Sequence, residues 1–534
     1  MSNASRLTQN VRRHAPLAVV LLAVFAGRWP FRALPLERDE GAYGYIAWRW
    51  AVGELPYRDA FDHKPPGIYL LYRLFFAPAG PSVLAVRIGA TLWFCLGVGV
   101  VYAIGLRLWG RTAALLAALL YAVWGSAFAV QGMVFNTEQA LVLPMLVALW
   151  CVMAAPDIMH QDYGTTPPRK RGIRTWFKVE SWRAWGAGAS LAAVALIKPT
   201  SVPFLALVCG WSLLHAAPAH AVSLQKTNPT RPRSTPRSHR PRHMASTLSY
   251  FALGVLILTL PVALYFVVRG GWPALWAALV DYNRLYAAES SGRWQPGALA
   301  DVLAPWTALI LVALGGAALA GRRTARQRVR MALVGFLGAA VLAALLSLRP
   351  YVHYYYPLLP LLALLAAGSV VGEPSTTASQ SAGTNPNRWE KIGRILLLAL
   401  LVGPPLWATA QAARLSVRAQ SLALYPTDGP AFADAAAVAA WLQRTTAPDA
   451  PVWVWASEPQ IYLLAGRRAA TRFPYDYPLG FLPAARTEVV RQLQAQSPAA
   501  IVTYAGVRPV GWDYVAAHYG APQRIGAFDV FERR

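Results

Sequence analysis

Pro16-Leu17-Ala18-Val19-Val20-Leu21-Leu22-Ala23-Val24-Phe25-Ala26-Gly27 opens an apolar run that extends to about Leu36. A helix of about 20 such residues crosses a hydrocarbon core of roughly 30 Å. Arg6, Arg12 and Arg13 precede the run like the charged start of a signal peptide. No small-residue cleavage site follows, so a retained membrane helix is expected. Further runs of this kind occupy residues at about 81 to 108, 112 to 133, 138 to 155, 184 to 198, 200 to 217, 247 to 269, 301 to 320, 331 to 348, 355 to 371 and 393 to 412. The expected fold is therefore an α-helical polytopic membrane protein with about eleven transmembrane helices. Composition agrees: 56% of the 534 residues are hydrophobic and 14% charged, too few charges for a chain of soluble domains.

The net charge of +26 raises the alternative of a nucleic-acid binder, and the placement of the basic residues decides against it. They sit in every second connection: Arg107 and Arg111; Arg169 to Lys178; Arg231 to Arg242; Arg322 to Arg330; Arg388 to Arg394. By the positive-inside rule these loops and the N-terminus are cytoplasmic. The Pro/Arg/Ser/His-rich segment 225–243 and the Ser/Thr/Asn/Gly-rich segment 373–387 read as disordered cytoplasmic connections without the aromatic interleaving of a nucleic-acid surface. No nucleic-acid partner is expected. An odd number of spans then leaves residues 413–534 outside the cytoplasm. There, helical patterns over 431–444, 458–465 and 484–496 alternate with strand patterns over 452–455, 500–504 and 528–531, which predicts a small α/β domain of about 120 residues. The membrane domain would occupy 1–412.

Between the first two spans the first external loop, 37–80, holds the densest charge and aromatic content on that side. It contains Glu37-Arg38-Asp39-Glu40-Gly41-Ala42-Tyr43 at the start of an amphipathic helix, then Leu55-Pro56-Tyr57-Arg58-Asp59, then Asp62-His63-Lys64-Pro65-Pro66. Asp39 reads either as a helix N-cap or as a general base at the membrane surface, with Glu40 the neighbouring carboxylate. Lys64, ahead of a rigid Pro-Pro bend, reads either as a phosphate-holding cation or as a snorkelling lysine. Asn136-Thr137-Glu138 opens the fourth span as a helix cap or as a site carboxylate. Lys198-Pro199 ends the fifth as a kink or a donor contact. Arg349 and His353 stand four apart before the tenth span, where a helix would put both cations on one face beside a lipid phosphate.

Other chemistry is absent from the pattern. Cys95, Cys151 and Cys209 form no C-x-x-C pair, and no His stands at zinc-ligand spacing. No G-x-x-x-x-G-K-[ST] loop or Rossmann glycine pattern occurs, so cytoplasmic ATP is not used by this chain. Glu37-x-Asp39 has a spacing that suits a divalent cation, but hard cations need more oxygen ligands, and no metal or other cofactor is expected. A secondary transporter would place ionisable residues at mid-membrane within paired repeats, whereas here they gather in loops. A receptor whose working part is the α/β domain is the other rival.

The Asp39-Glu40 pair, the Tyr43 helix, the Pro-Tyr-x-Asp turn at Pro56–Asp59 and Lys64-Pro65-Pro66, in this order before the second span, resemble the C-type membrane glycosyltransferases. They are closest to the branch containing the protein O-mannosyltransferases and the bacterial aminoarabinose transferases of lipid A (glycosyltransferase family 39). The resemblance covers roughly residues 16 to 412. It implies that Asp39 is the catalytic base and that Lys64 contacts donor phosphate, with His63 standing where the family has Glu. Arg349 and His353 would assist at the phosphate, and Tyr43, Tyr57, Arg58, Asn136, Glu138 and Lys198 would bind substrate. It also implies an inverting transfer of a sugar from a polyprenyl-phosphate donor to a glycan, lipid or protein acceptor, at the outer face of a bacterial cytoplasmic membrane. Trp453, Trp455, Tyr462 and Tyr475 of the α/β domain are expected to stack on sugar or to fill its core, with core the expected place of the tryptophans.

Overall fold

The computed structural model describes residues 3–153, 173–215, 240–290, 296–319, 327–346, 351–371 and 388–534. Within them every apolar run is helical: Asn3–Arg28, Val83–Trp109, Arg111–Gly125, Thr137–Met153, Ile173–Ile197, Val202–His215, Arg240–Val268, Thr307–Leu319, Gln327–Leu345, Leu358–Val371 and Arg388–Ala413. Among the described residues, four stretches are long and apolar enough to cross a membrane by length and composition: His14–Phe31, Val83–Trp109, Met244–Val268 and Arg388–Ala413. The basic connections at 154–172, 216–239 and 320–326, and the segment 373–387, lie outside the described residues. Residues 240–243, expected as part of a disordered connection, open the long helix Arg240–Val268 instead.

Lipid offers helices no hydrophobic drive to associate, so small residues that let backbones approach matter most in the bundle. Ile173–Ile197 and Arg240–Val268 meet through Gly188 and Gly254. A Cβ at Gly188 would stand 2.1 Å from the Phe251 carbonyl oxygen, and one at Gly254 the same distance from that of Trp185. Only glycine permits that approach.

The ends of two spans depart from expectation. The first helix stops at Arg28, because Pro30 and Pro35 lack the N–H that a continuing helix needs, and a 3₁₀ turn Trp29–Phe31 follows. Before Leu358 the chain is not α-helical: Tyr351 is extended and Val352–Tyr355 is a 3₁₀ turn. His353, expected on a helix face, stands in this 3₁₀ turn, and Arg349 lies outside the described residues.

The C-terminal domain is the expected α/β unit with a four-stranded sheet. Its strands are β1 (Val452–Trp455), β2 (Ala500–Tyr504), β3 (Gln523–Ile525) and β4 (Phe528–Glu532), ordered β1-β2-β4-β3. β1 and β2 are parallel, joined by a crossover through the helices Gln460–Ala465 and Pro483–Gln496, and β4 is antiparallel to both neighbours. β3 and the helix Trp512–His518 were not apparent in the sequence, being only three and seven residues long. Trp453, Tyr462 and Tyr475 are buried, and the Tyr462 hydroxyl accepts a hydrogen bond from the Val454 N–H at 2.7 Å, so they belong to the core rather than to a sugar platform.

The first loop lies between this domain and the membrane helices. Its helix Arg38–Ala51 buries residues all round, and a Cβ at Gly41 would come within 2.6 Å of the Gln460 backbone nitrogen. The larger of two apolar clusters among the described residues runs from the membrane helices through the loop into the sheet.

Candidate active site

The loop helix is started by Glu37, not by Asp39. The Glu37 carboxylate accepts from the N–H groups of Asp39 (3.1 Å) and Glu40 (3.0 Å), while Glu40 accepts from the Glu37 N–H at 3.3 Å. This reciprocal capping box satisfies the helix's first donors. It also occupies the Glu37 oxygens, so Glu37 is not free to share a cation with Asp39. Among the described residues, no three His, Cys, Asp or Glu side chains converge as metal ligands.

Relieved of capping, the Asp39 side chain is half-buried and accepts one hydrogen bond, from the Tyr43 hydroxyl one turn on, at 3.2 Å. Burial, then the Asp39 charge, pushes the Tyr43 phenol well up, so Tyr43 stays a donor. A carboxylate held by one phenol and otherwise open is chemically suited to take a proton.

Lys64 faces the same space. Burial works against its ammonium, but Asp39 foremost, with Tyr286, Asp62 and Glu138, holds its pKa above the usual lysine range. Its hydrogen-bond partner is the imidazole Nε2 of His63 at 3.1 Å. Burial and the neighbouring Lys64 lower the His63 pKa, which leaves a neutral ring able to accept that bond. Among the described residues Lys64 forms no ion pair within 4.0 Å. That is an unusual state for a partly buried lysine and leaves its charge available to an anion.

Asp62 organises this segment. Its carboxylate accepts from the hydroxyls of Tyr69 (2.9 Å) and Tyr475 (2.7 Å) and from the His63 N–H (2.6 Å), and the His63 Nδ1 lies 3.2 Å away. Burial opposes its ionisation, yet His63, Lys64 and the Tyr475 hydroxyl hold its pKa down at about 2. Tyr57, wholly buried, donates to the Lys64 carbonyl at 2.8 Å, and Asn283 donates to that of His63 at 3.0 Å. The Lys-Pro-Pro turn is thus fixed from several sides.

A second ionic group adjoins the first. Glu138 pairs with Lys198 and accepts from the Thr137 hydroxyl at 2.9 Å, while the Lys198 ammonium sits 3.9 Å from the Tyr354 ring centroid. His353, whose pKa burial depresses, bonds the Gln131 amide oxygen through Nδ1 at 2.9 Å. Lys64, Lys198 and His353 each feel the charges of both Asp39 and Glu138, so five of the residues read from separate sequence segments gather in one neighbourhood.

The other expected site residues are placed differently. Glu40 is fully buried beneath the site. Arg87 grips it with both guanidinium nitrogens, the Nη2–Oε2 contact being 2.8 Å, and the Phe135 N–H adds a bond of 2.8 Å. All its acceptor positions face protein, which makes it an anchor for the loop and corrects its assignment as a catalytic group. Arg58 turns outward, half-exposed, and pairs with Asp59 at 2.7 Å. Tyr57 positions the turn rather than facing substrate. Asn136 is buried at the head of the Thr137–Met153 helix, its carbonyl accepting from Ala140, while its side-chain oxygen has no partner among the described residues. Asp62, Tyr69, Asn283 and Arg87 were missed. Arg87 had a signal, since a charged residue inside an apolar span calls for a buried partner.

Residues 63–163, from His63-Lys64-Pro65-Pro66 onward, match the family model described as dolichyl-phosphate-mannose-protein mannosyltransferase. No curated protein matches in sequence. Among solved structures the chain is similar to ArnT from Cupriavidus metallidurans bound to undecaprenyl phosphate, with 14% identity, 98% of each chain covered and a TM-score of 0.59. It is also similar to the archaeal oligosaccharyltransferase AglB from Archaeoglobus fulgidus in complex with an inhibitory peptide and a dolichol-phosphate, with 13% identity, 98% of this chain and 74% of that one covered, and a TM-score of 0.51. At such identities the shared property is the fold. The family model over residues 63–163 and the shared fold are likenesses to the same kind of membrane glycosyltransferase that the loop motifs resemble.

Proposed function

We propose that this protein transfers a sugar from a polyprenyl-phosphate donor to an acceptor at the outer face of a bacterial cytoplasmic membrane. The observation that carries the proposal is the pairing of functions at one place: a half-buried carboxylate, Asp39, and an ammonium, Lys64, that has no ion-pair partner among the described residues. Asp39 takes a proton from the acceptor nucleophile, whose lone pair forms the new bond to the anomeric carbon. The bond from that carbon to the phosphate oxygen breaks, its electron pair leaves with the polyprenyl phosphate, and Lys64 stabilises the added charge, with His353 nearby. Attack opposite the leaving group inverts the anomeric centre. No metal or other cofactor takes part. A narrow cleft beside the Glu138–Lys198 pair is lined mainly by apolar side chains, among them Leu141, Met145 and Leu205. The donor is identified by incubating the purified protein with a panel of polyprenyl-phosphate sugars and following which is consumed. Consumption of none by active, folded protein would overturn the assignment.

Lys64→Ala should remove a charge-assisted contact worth roughly 1.5 to 3 kcal/mol and weaken donor binding about ten-fold or more. Lys64→Arg, a planar fork in place of a compact ammonium, should recover only part of that loss. Donor titration of the three forms in one detergent checks this. Equal affinities would remove Lys64 from the phosphate site.

In this orientation the basic connections and the N-terminus are cytoplasmic and the α/β domain is outside. A reporter active only outside the cytoplasm should work when fused at Gly292 or after Arg534 and stay silent at Arg237 or Arg326. Activity at Arg237 would reverse the assignment.

A further inference from the structure

Among the places where the α/β domain holds the first loop, two lie one or two residues from a group of the site. On one side Arg38, next to Asp39, donates from Nε to the Ser457 carbonyl at 2.8 Å and reaches Glu458 (3.5 Å) and Asp428 (3.4 Å) through Nη2. Glu458 is fully buried and is held in turn by the Tyr504 hydroxyl at 2.7 Å and by the Gln460 amide. On the other side the Tyr475 hydroxyl bonds Asp62 at 2.7 Å, two residues before Lys64, and the Arg472 carbonyl accepts from the Phe61 N–H at 2.7 Å. Simple packing between two domains needs only apolar contact. Here buried charged groups are committed instead, and burying them is unfavourable unless the geometry is well made.

We propose that the α/β domain is a positioning element of the active site: Tyr475 sets Asp62 and through it the His63–Lys64 pair, while Ser457 and Glu458 set Arg38 and through it Asp39. This rests on the polyprenyl-phosphate transfer proposed above. The domain then contributes to the reaction without any of these residues touching substrate. The two contacts should separate in the kinetics, because Lys64 meets the donor phosphate already in the ground state, before it stabilises the leaving group, whereas Asp39 acts only in the transition state.

The test compares Tyr475→Phe and Glu458→Gln with Tyr519→Phe in the full-length protein. Tyr519 is an equally buried phenol of the same domain, bonded to the Pro498 carbonyl at 2.7 Å and distant in contact from the loop. Tyr475→Phe should raise the donor KM about ten-fold, Glu458→Gln should lower kcat about ten-fold with the donor KM little changed, and Tyr519→Phe should alter neither. Thermal unfolding of each variant shows whether a loss follows the fold. Losses that run parallel in all three with melting temperature, or no loss in either loop-facing variant, would overturn the proposal. A second readout needs no donor: labelling of Lys64 by an amine-reactive reagent, followed by mass spectrometry, should speed up in Tyr475→Phe and not in Tyr519→Phe. If that contrast is present while the wild type consumes no polyprenyl-phosphate sugar, the positioning stands and the assigned activity fails. If Lys64 labels equally in all forms, the positioning fails whatever the activity.

Discussion

Asp39→Asn should lower turnover by a factor of roughly 10² or more while the protein remains folded. The substitution keeps the size of the side chain and its contact with Tyr43, but an amide does not take up a proton at neutral pH. Helix initiation is untouched, since Glu37 and Glu40 form the capping box. The melting temperature should therefore match that of the wild type, and donor binding through Lys64 should persist. A variant with near-normal turnover would leave Asp39 a bystander and move attention to Glu138, the other carboxylate of the cluster.

The second large effect concerns stability rather than chemistry. Glu40 and Arg87 form a buried pair that fixes the start of the loop helix to the second span, with Arg87 also donating to the carbonyls of Leu34, Pro35 and Met133. Arg87→Met strands the fully buried Glu40 carboxylate, and loss of one partner of such a pair costs about 3 to 5 kcal/mol. The variant should melt well below the wild type or fail to accumulate. Adding Glu40→Gln removes the stranded charge, so the double variant should regain part of the loss. Thermal unfolding of the single and double variants checks this, and an unaltered melting temperature for Arg87→Met would show the pair to be dispensable.

The membrane class, the helices and most of the α/β domain were legible because long apolar runs and alternating patterns are properties of local sequence. Asp39, Lys64, Glu138, Lys198 and His353 were legible as chemistry, since charges at the ends of apolar runs need a reason. The division of labour between neighbouring residues was not. Whether Glu37 or Asp39 caps the helix depends on which carboxylate turns back to the backbone, and adjacent positions of one helix differ in direction rather than in composition. Glu40 looks like Asp39 in sequence, yet Arg87, 47 residues on, makes it structural. Asp62 was hidden for a related reason: its importance comes from Tyr475, 413 residues away. Such long-range hydrogen bonds leave no periodicity to read.

The most direct test of the account is to follow release of free polyprenyl phosphate from the donor that the wild type consumes, with and without acceptor, in wild type and Asp39→Asn. The account predicts release that depends on acceptor, equals the sugar transferred, yields a product of inverted anomeric configuration, and falls at least about a hundred-fold in Asp39→Asn. Release at an equal rate in both forms, or a product that retains the donor's configuration, would contradict it.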